Sequence, residues 1–153
     1  MFDHRAQQFP ATAGALRVLV VDDNADVAES LGILLEMHGH RVLTCLHPDE
    51  ALKLAPAFEP EVCILDIGLP GMSGHELARA LRAAGLTRSR YIAVTGYGSE
   101  EARKATRAAG FAMHLTKPVD PRFLLEKLAP SSASRPTDDL GPATGWVESF
   151  RVA

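Results

Sequence analysis

Short apolar runs alternate with helical segments along most of this 153-residue chain, and this alternation restricts the possible folds more than any other feature. Five runs are predicted to be buried strands, because they are too short for helices and several are rich in branched residues. They lie at residues 16–21, 41–46, 62–65, 91–94 and 111–115. A segment with apolar residues at helical spacing follows each run. The pattern therefore predicts a doubly wound α/β domain, with a five-stranded parallel sheet covered on both faces by five helices.

Capping residues indicate where the predicted helices begin and end. Ser73 and Glu76 have the spacing of a capping box, which opens the third helix. Ser99 and Asp120 are the predicted N-caps of the fourth and fifth helices. The second helix is predicted to end at two prolines, Pro56 and Pro60. The apolar stripe of the fourth helix consists only of alanines, at Ala102, Ala105 and Ala109, which predicts weak packing and an element that can shift.

The α/β pattern occupies residues 16–129, with an N-terminal extension at 1–15 and a C-terminal tail at 130–153. The tail is rich in Ser, Pro, Thr, Gly and Asp as far as residue 145 and is predicted to be flexible. Trp146, Val147 and Phe150 interrupt this composition, and they either form a short helical face that docks weakly or are disordered. Neither flanking piece is long enough for a DNA-binding or enzymatic domain. We therefore expect the output of this domain to be another molecule.

Composition excludes several classes of protein. The chain is 46% hydrophobic with a net charge of −3, it has no long basic run, and no apolar run approaches the length of a membrane span. Residues 1–10 lack the apolar segment of a signal peptide. The two cysteines, Cys45 and Cys63, are too few for a disulfide framework and lack zinc-ligand spacing. We therefore expect a cytoplasmic protein that binds neither DNA nor membranes directly.

Polar side chains stand where the predicted strands end. Asp22 and Asp23 follow the first strand, Asp66 the third and Thr95 the fourth, while Lys117 comes shortly after the fifth. Because the carboxyl ends of parallel strands lie at one edge of a sheet, these five side chains are expected to form one site.

The residue types in this predicted site suit phosphoryl transfer. Clustered carboxylates repel one another and need a cation, and oxygen ligands without a dedicated cage favour Mg²⁺ over Ca²⁺. A carboxylate can also act as a nucleophile toward phosphorus, with Lys117 and Thr95 holding the phosphoryl oxygens. Taken singly, each residue has an ordinary explanation as a helix cap, a turn residue or a solvated lysine. Coincidence at four strand ends is far less probable than a single site.

Four motifs in order resemble those of the response-regulator receiver domains of two-component signalling. They are VVDDN at 20–24, LDIGLPGMSG at 65–74, VTG at 94–96 and KP at 117–118. The resemblance implies a flavodoxin-like fold with strand order 2-1-3-4-5 and Asp66 as the acceptor of a phosphoryl group from a histidine kinase or a histidine phosphotransfer protein. It further implies that Asp23 and Asp66 bind Mg²⁺ with the backbone carbonyl of Gly68. Asp22 would act largely through water, and Lys117 and Thr95 would hold the phosphoryl group.

One departure from the family pattern and one variable pair affect the expected regulation. Receivers usually place Tyr or Phe three residues before the lysine, as a switch coupled to the threonine, and here this residue is His114. Either His114 switches with Thr95, or it is a partly exposed strand residue without that role. The variable pair Gly68 and Tyr97 suggests slow self-dephosphorylation. The strand order also separates Cys45 from Cys63 by one strand, which disfavours a disulfide.

The expected function is a stand-alone receiver that is not an enzyme but assists its own phosphorylation and dephosphorylation. Phosphorylation would switch protein contacts, and possible homodimerisation, through the face formed by the fourth helix, the fifth strand and the fifth helix. The alternatives are a phosphorylation-independent interaction module or a detached receiver that acts with a hybrid kinase. A phosphatase would need a second general acid or base. A flavin-binding relative is disfavoured by Asp22 and Asp23, which lie where a phosphate cradle should carry no negative charge.

Overall fold

The strands form one parallel sheet in a computed structural model that describes residues 14–96, 98–129 and 147–148. The strands are β1 (Arg17–Val21), β2 (Arg41–Cys45), β3 (Val62–Asp66), β4 (Arg90–Thr95), β5 (Met113–Thr116) and β6 (Val147–Glu148). The helices are α1 (Ala25–Met37), α2 (Pro48–Phe58), α3 (Gly74–Ala83), α4 (Glu100–Ala108) and α5 (Pro121–Leu128). The sheet order is β2-β1-β3-β4-β5-β6, and every neighbouring pair is parallel. The doubly wound fold and the order 2-1-3-4-5 are confirmed, and β6 adds a short strand beyond the prediction.

Alternate residues of the strands enter two separate cores, one on each face of the sheet. On one face, strand residues such as Leu19, Leu65 and Tyr91 pack against buried residues of α2 and α3. On the other face, residues such as Val20 and Ile64 pack against buried residues of α1 and α5. The helices therefore cover both faces, and the carboxyl edge of the sheet remains available for polar side chains.

The predicted N-caps are confirmed. Ser73 and Glu76 form a complete capping box, since the Ser73 hydroxyl accepts from the Glu76 N–H and the Glu76 carboxylate accepts from the Ser73 N–H. The Ser99 hydroxyl accepts from the Ala102 N–H, and the Asp120 carboxylate accepts from the Arg122 N–H. These bonds satisfy amide groups that a helix start leaves without partners.

The second helix ends between the two predicted prolines: α2 continues past Pro56, which does not stop it, and ends at Phe58, before Pro60. Pro56 lies in the last turn, where its missing N–H removes a single helical hydrogen bond. Glu59 caps the helix in a left-handed conformation with φ of 52° and donates its N–H to the Ala55 carbonyl at 2.8 Å.

The predicted apolar stripe of α4 is also partly wrong. Thr106 is the buried residue of this helix, whereas Ala105 is exposed and Ala102 is half-buried. The Thr106 hydroxyl donates to the Ala102 carbonyl at 2.9 Å and lies 3.2 Å from Nε2 of His75 on α3. A helix this poor in large apolar residues is thus connected to its neighbour partly by a polar contact.

Three other predictions concern the cysteines, the tail and the membrane. Cys45 and Cys63 are free and buried on strands separated by β1, and burial raises the pKa of each thiol to about 12. Val147 lies in a short strand rather than a helical face, while Trp146 and Phe150 fall outside the described residues. Within the described ranges, none of the helices combines the length and the hydropathy that a membrane crossing needs.

Candidate functional site

The turn after β1 presents two adjacent carboxylates in different environments. Asp22 is buried, and its Oδ1 atom accepts the Asn24 N–H at 2.9 Å. The Asn24 side chain in turn caps α1 by accepting the N–H groups of Asp26 and Val27. Asp23 lies between these fixed residues and is exposed. The turn therefore holds Asp22 rigidly at the sheet edge and leaves Asp23 open to solvent.

Asp66 ends β3 with only 6% of its surface exposed. Its Oδ1 atom accepts the Gly68 N–H at 3.0 Å, which orients the carboxylate. The backbone beyond it is fixed as well, because the Ile67 N–H donates to the Val94 carbonyl at 2.9 Å and the Ile67 carbonyl accepts the Gly74 N–H at 3.0 Å. The strand end and the following loop thus determine the direction of the Asp66 side chain.

The predicted carboxylates come together as expected. Asp22, Asp23 and Asp66 each contribute an oxygen to a group whose members lie within 4.8 Å of one another. The Lys117 ammonium reaches the same place, with Nζ 3.2 Å from Asp22 Oδ2 and 3.4 Å from Asp66 Oδ2. Lys117 directly follows β5, and its backbone N–H donates to the Thr95 carbonyl at 2.8 Å.

Burial and charge act in opposite directions on the ionisable groups of this site. Burial raises the pKa of Asp66; the Gly68 N–H opposes this effect, the Asp22 charge adds to it and Lys117 opposes it. The net pKa of Asp66 is raised above its ordinary value. Burial lowers the pKa of Lys117, but the charges of Asp22 and Asp66 outweigh this effect and leave the pKa raised. The two carboxylates therefore favour the ammonium form of Lys117, while the surroundings of Asp66 disfavour its charged form relative to water.

The donor set fits a hard divalent cation. Burial is the largest cause of the raised pKa of Asp66, and repulsion from Asp22 adds to it. Three carboxylates meet one ammonium group here, so a second cation would relieve that repulsion. All side-chain donors in the cluster are oxygen atoms, which Mg²⁺ prefers. Exposed Asp23 would be accessible to an ion that keeps part of its water shell.

Thr95 and His114 occupy neighbouring strands beside the cluster. Thr95 is buried at the end of β4 and pairs with Thr116, while His114 pairs with Ala93. Because side chains alternate along strands, Thr95 and His114 lie on the same face of the sheet. His114 is buried, so the expectation of a partly exposed strand residue is wrong. Tyr97, the other variable residue, lies outside the described residues.

Comparison with known proteins identifies the family. The family model described as the response regulator receiver domain matches residues 18–129. The chain belongs to the response regulator receiver family. It is 34% identical to Protein PilH of Pseudomonas aeruginosa, over 73% of this chain and 93% of PilH. It is 36% identical to an uncharacterized 14.6 kDa protein of Leptolyngbya boryana, over 83% of this chain and 98% of that protein. The crystallised chemotaxis protein CheY4 of Vibrio cholerae superposes with a TM-score of 0.71 and 30% identity, covering 74% of this chain and 96% of that one.

Gly74 lies against the backbone of Asp66, a contact that the sequence analysis did not predict. A Cβ atom here would lie 2.5 Å from the Asp66 carbonyl oxygen and 2.8 Å from the Ile67 Cα. These are backbone atoms, so the contact could not be relieved by turning a side chain. Gly74 therefore allows α3 to begin directly against the strand end that carries Asp66. Two signals pointed to it: Gly74 ends the motif at 65–74, and it is a glycine at the first helical position, where a better helix former would be expected.

Proposed function

We propose that this receiver is a phosphorylation-controlled switch in which Asp66 accepts a phosphoryl group from a histidine kinase or a histidine phosphotransfer protein. The observation that supports the assignment best is the convergence of Asp22, Asp23 and Asp66 with Lys117 at one edge of the sheet. Asp66 is the carboxylate we assign as the acceptor, because it is oriented by the Gly68 N–H and contacts Lys117 at the same time.

In the proposed transfer, a carboxylate oxygen of Asp66 forms a bond to phosphorus as the P–N bond of the phosphohistidine breaks. The electron pair of that bond stays on the imidazole nitrogen of the donor. Lys117 lies within reach of the oxygens that gain charge, and its raised pKa keeps it protonated for this role. We assign the Thr95 hydroxyl to hold a phosphoryl oxygen after the transfer.

We further propose that Mg²⁺ is the cofactor, held by Asp23 and Asp66 with the backbone carbonyl of Gly68, and by Asp22 largely through water. When bound, Mg²⁺ would supply positive charge that stabilises the transferring phosphoryl oxygens. The chain's own part is to hold the ligands in place: Asp22 is fixed by the Asn24 N–H and Asp66 by the Gly68 N–H.

The output is proposed to be a change in protein contacts rather than catalytic turnover of a substrate. Phosphorylation would alter the environment of Thr95, and His114 on the adjacent strand would transmit the change to the face formed by α4, β5 and α5. Downstream protein targets, or a second copy of the chain, would bind at that face. We propose that the domain assists its own phosphorylation and dephosphorylation without being an enzyme.

Phosphorylation by a small phosphodonor tests the assignment. Full-length protein is incubated with acetyl phosphate and Mg²⁺, and intact mass spectrometry measures the addition of a phosphoryl group. We expect modification of the wild type and none of Asp66→Asn. Asp49→Asn, an exposed aspartate in the first turn of α2, is the matched control and should be modified like the wild type. Labelling of Asp66→Asn would reject Asp66 as the acceptor.

The partner proposal needs a separate measurement. Affinity for a cognate partner should change when the protein is treated with beryllofluoride and Mg²⁺, and the change should be absent in Asp66→Asn. Equal affinity with and without treatment would instead favour a phosphorylation-independent interaction module.

A further inference from the structure

The outer edge of β5 is covered by a short segment from the C-terminal part of the chain. Val147 pairs with Met113 and Glu148 with His114, both in parallel orientation. The segment thereby extends the sheet by one strand beyond β5. An edge strand presents backbone N–H and C=O groups that a further strand can use, so this pairing occupies a position open to other extended segments.

The backbone of β5 indicates which groups face the added strand. The Ala112 N–H donates to the Tyr91 carbonyl at 2.8 Å, so the amide of residue 112 points toward β4. Because successive amides of a strand point to opposite sides, the N–H of His114 also faces β4. The N–H groups of Met113 and Leu115 then face the opposite edge, where β6 lies.

The end of α5 and the start of β6 lie at the same edge of the sheet. The Arg90 guanidinium donates to the Lys127 carbonyl at 3.4 Å, so the end of α5 lies beside the start of β4 at the amino edge of the sheet. A parallel strand beside Met113 begins at that same edge. Eighteen residues, 129–146, separate α5 from β6 in the sequence, and an extended chain of that length spans up to roughly 60 Å. A long tether keeps the segment at high effective concentration while permitting its release.

We propose that the segment centred on Val147 and Glu148 is an intramolecular strand that masks the outer edge of β5. A protein partner that contributes an extended segment to this edge would have to displace it. Two paired residues make a short ladder, so the masking strand can be exchanged for a longer one. The pairing as such does not depend on phosphorylation, and it is tested without a phosphodonor.

Amide hydrogen exchange followed by NMR on the full chain tests this proposal. The variant Val147→Pro/Glu148→Pro removes both N–H groups of β6, and Ala143→Pro in the connecting segment is the matched control. In the double variant, exchange at Met113 and Leu115 should accelerate by roughly tenfold, which corresponds to the loss of about one net hydrogen bond. Exchange at His114 should be unchanged, because its N–H faces β4. A synthetic peptide of residues 141–153 should restore the protection.

Three results would overturn the proposal. Unchanged exchange at Met113 and Leu115 in the double variant would show that the segment does not pair with β5 in solution. Equal acceleration in the Ala143→Pro control would assign the effect to the tether rather than to the strand. Protection that falls on dilution of the wild type, together with sedimentation as a dimer, would identify the masking strand as that of a second copy.

Discussion

Replacing Gly74 by alanine should destabilise the domain and disturb the site together. The added Cβ would lie 2.5 Å from the Asp66 carbonyl oxygen and 2.8 Å from the Ile67 Cα, well inside van der Waals contact. Overpacking of this kind costs about 1–3 kcal/mol. The higher helix propensity of alanine offsets at most about 1 kcal/mol of this. We therefore expect the free energy of unfolding to fall by about 1–2 kcal/mol.

The same substitution should slow phosphorylation, because the backbone that must move is that of Asp66. Urea unfolding followed by circular dichroism measures the stability, and intact mass spectrometry with acetyl phosphate and Mg²⁺ measures the rate. Gly96→Ala is the matched stability control, since no atom lies within 4 Å of its added Cβ, and it should change stability by no more than about 0.5 kcal/mol. Wild-type stability and rate in Gly74→Ala would refute the inference that this glycine sets the approach of α3 to the site.

Three further predictions concern the charges of the site. Lys117→Met should lower the free energy of unfolding at pH 7, because Asp22 and Asp66 lose their common cation. The Lys117 side chain is 29% exposed, so the loss should be about 1–3 kcal/mol, between the values for exposed and for fully buried ion pairs; urea unfolding of equal stability would contradict this. Asp66→Asn should stabilise the metal-free protein at neutral pH. Because the pKa of Asp66 is raised in the folded state, the destabilisation by its charge is present above that pKa and disappears as the pH falls below its ordinary value of 3.8. Unfolding at pH 7 and pH 3 should therefore show the gain only at pH 7, and a gain at both would exclude this cause. Mg²⁺ should raise the melting temperature of the wild type and much less that of Asp23→Asn; equal shifts would remove Asp23 from the metal ligands.

The site was predictable because it depends on strand direction rather than on detailed packing. Parallel strands connected by helices bring their carboxyl ends to one edge, so the alternation predicts that Asp22, Asp66 and Lys117 share that edge. Their closeness along the edge depends on the strand order, which only the family resemblance implied. The N-caps Ser99 and Asp120 were predictable for a similar reason, since capping requires only local sequence. Their hydrogen bonds are those expected of such residues.

The features that were missed depend on tertiary contacts or on segments without periodicity. The contact of Gly74 with the Asp66 backbone is determined by the path of the intervening loop, which no local pattern encodes. The burial of Thr106 depends on how α4 lies against His75 of α3. The strand at Val147–Glu148 has two residues, too few for an alternating pattern to be visible. At Pro56 the local pattern was misleading instead. A proline in the last turn of a helix removes only one helical hydrogen bond, so α2 continues past it to Phe58.

Locating the phosphoryl group within the chain tests the central claim most directly. Wild-type protein treated with acetyl phosphate and Mg²⁺ is reduced with borohydride, which converts an aspartyl phosphate into homoserine, and is then sequenced by tandem mass spectrometry. The account predicts homoserine at residue 66 and at no other aspartate, with none formed when Mg²⁺ is chelated. Homoserine at residue 22 or 23, or Mg²⁺-independent modification, would contradict the assignment of Asp66 and its neighbours as a magnesium-dependent phosphoacceptor site.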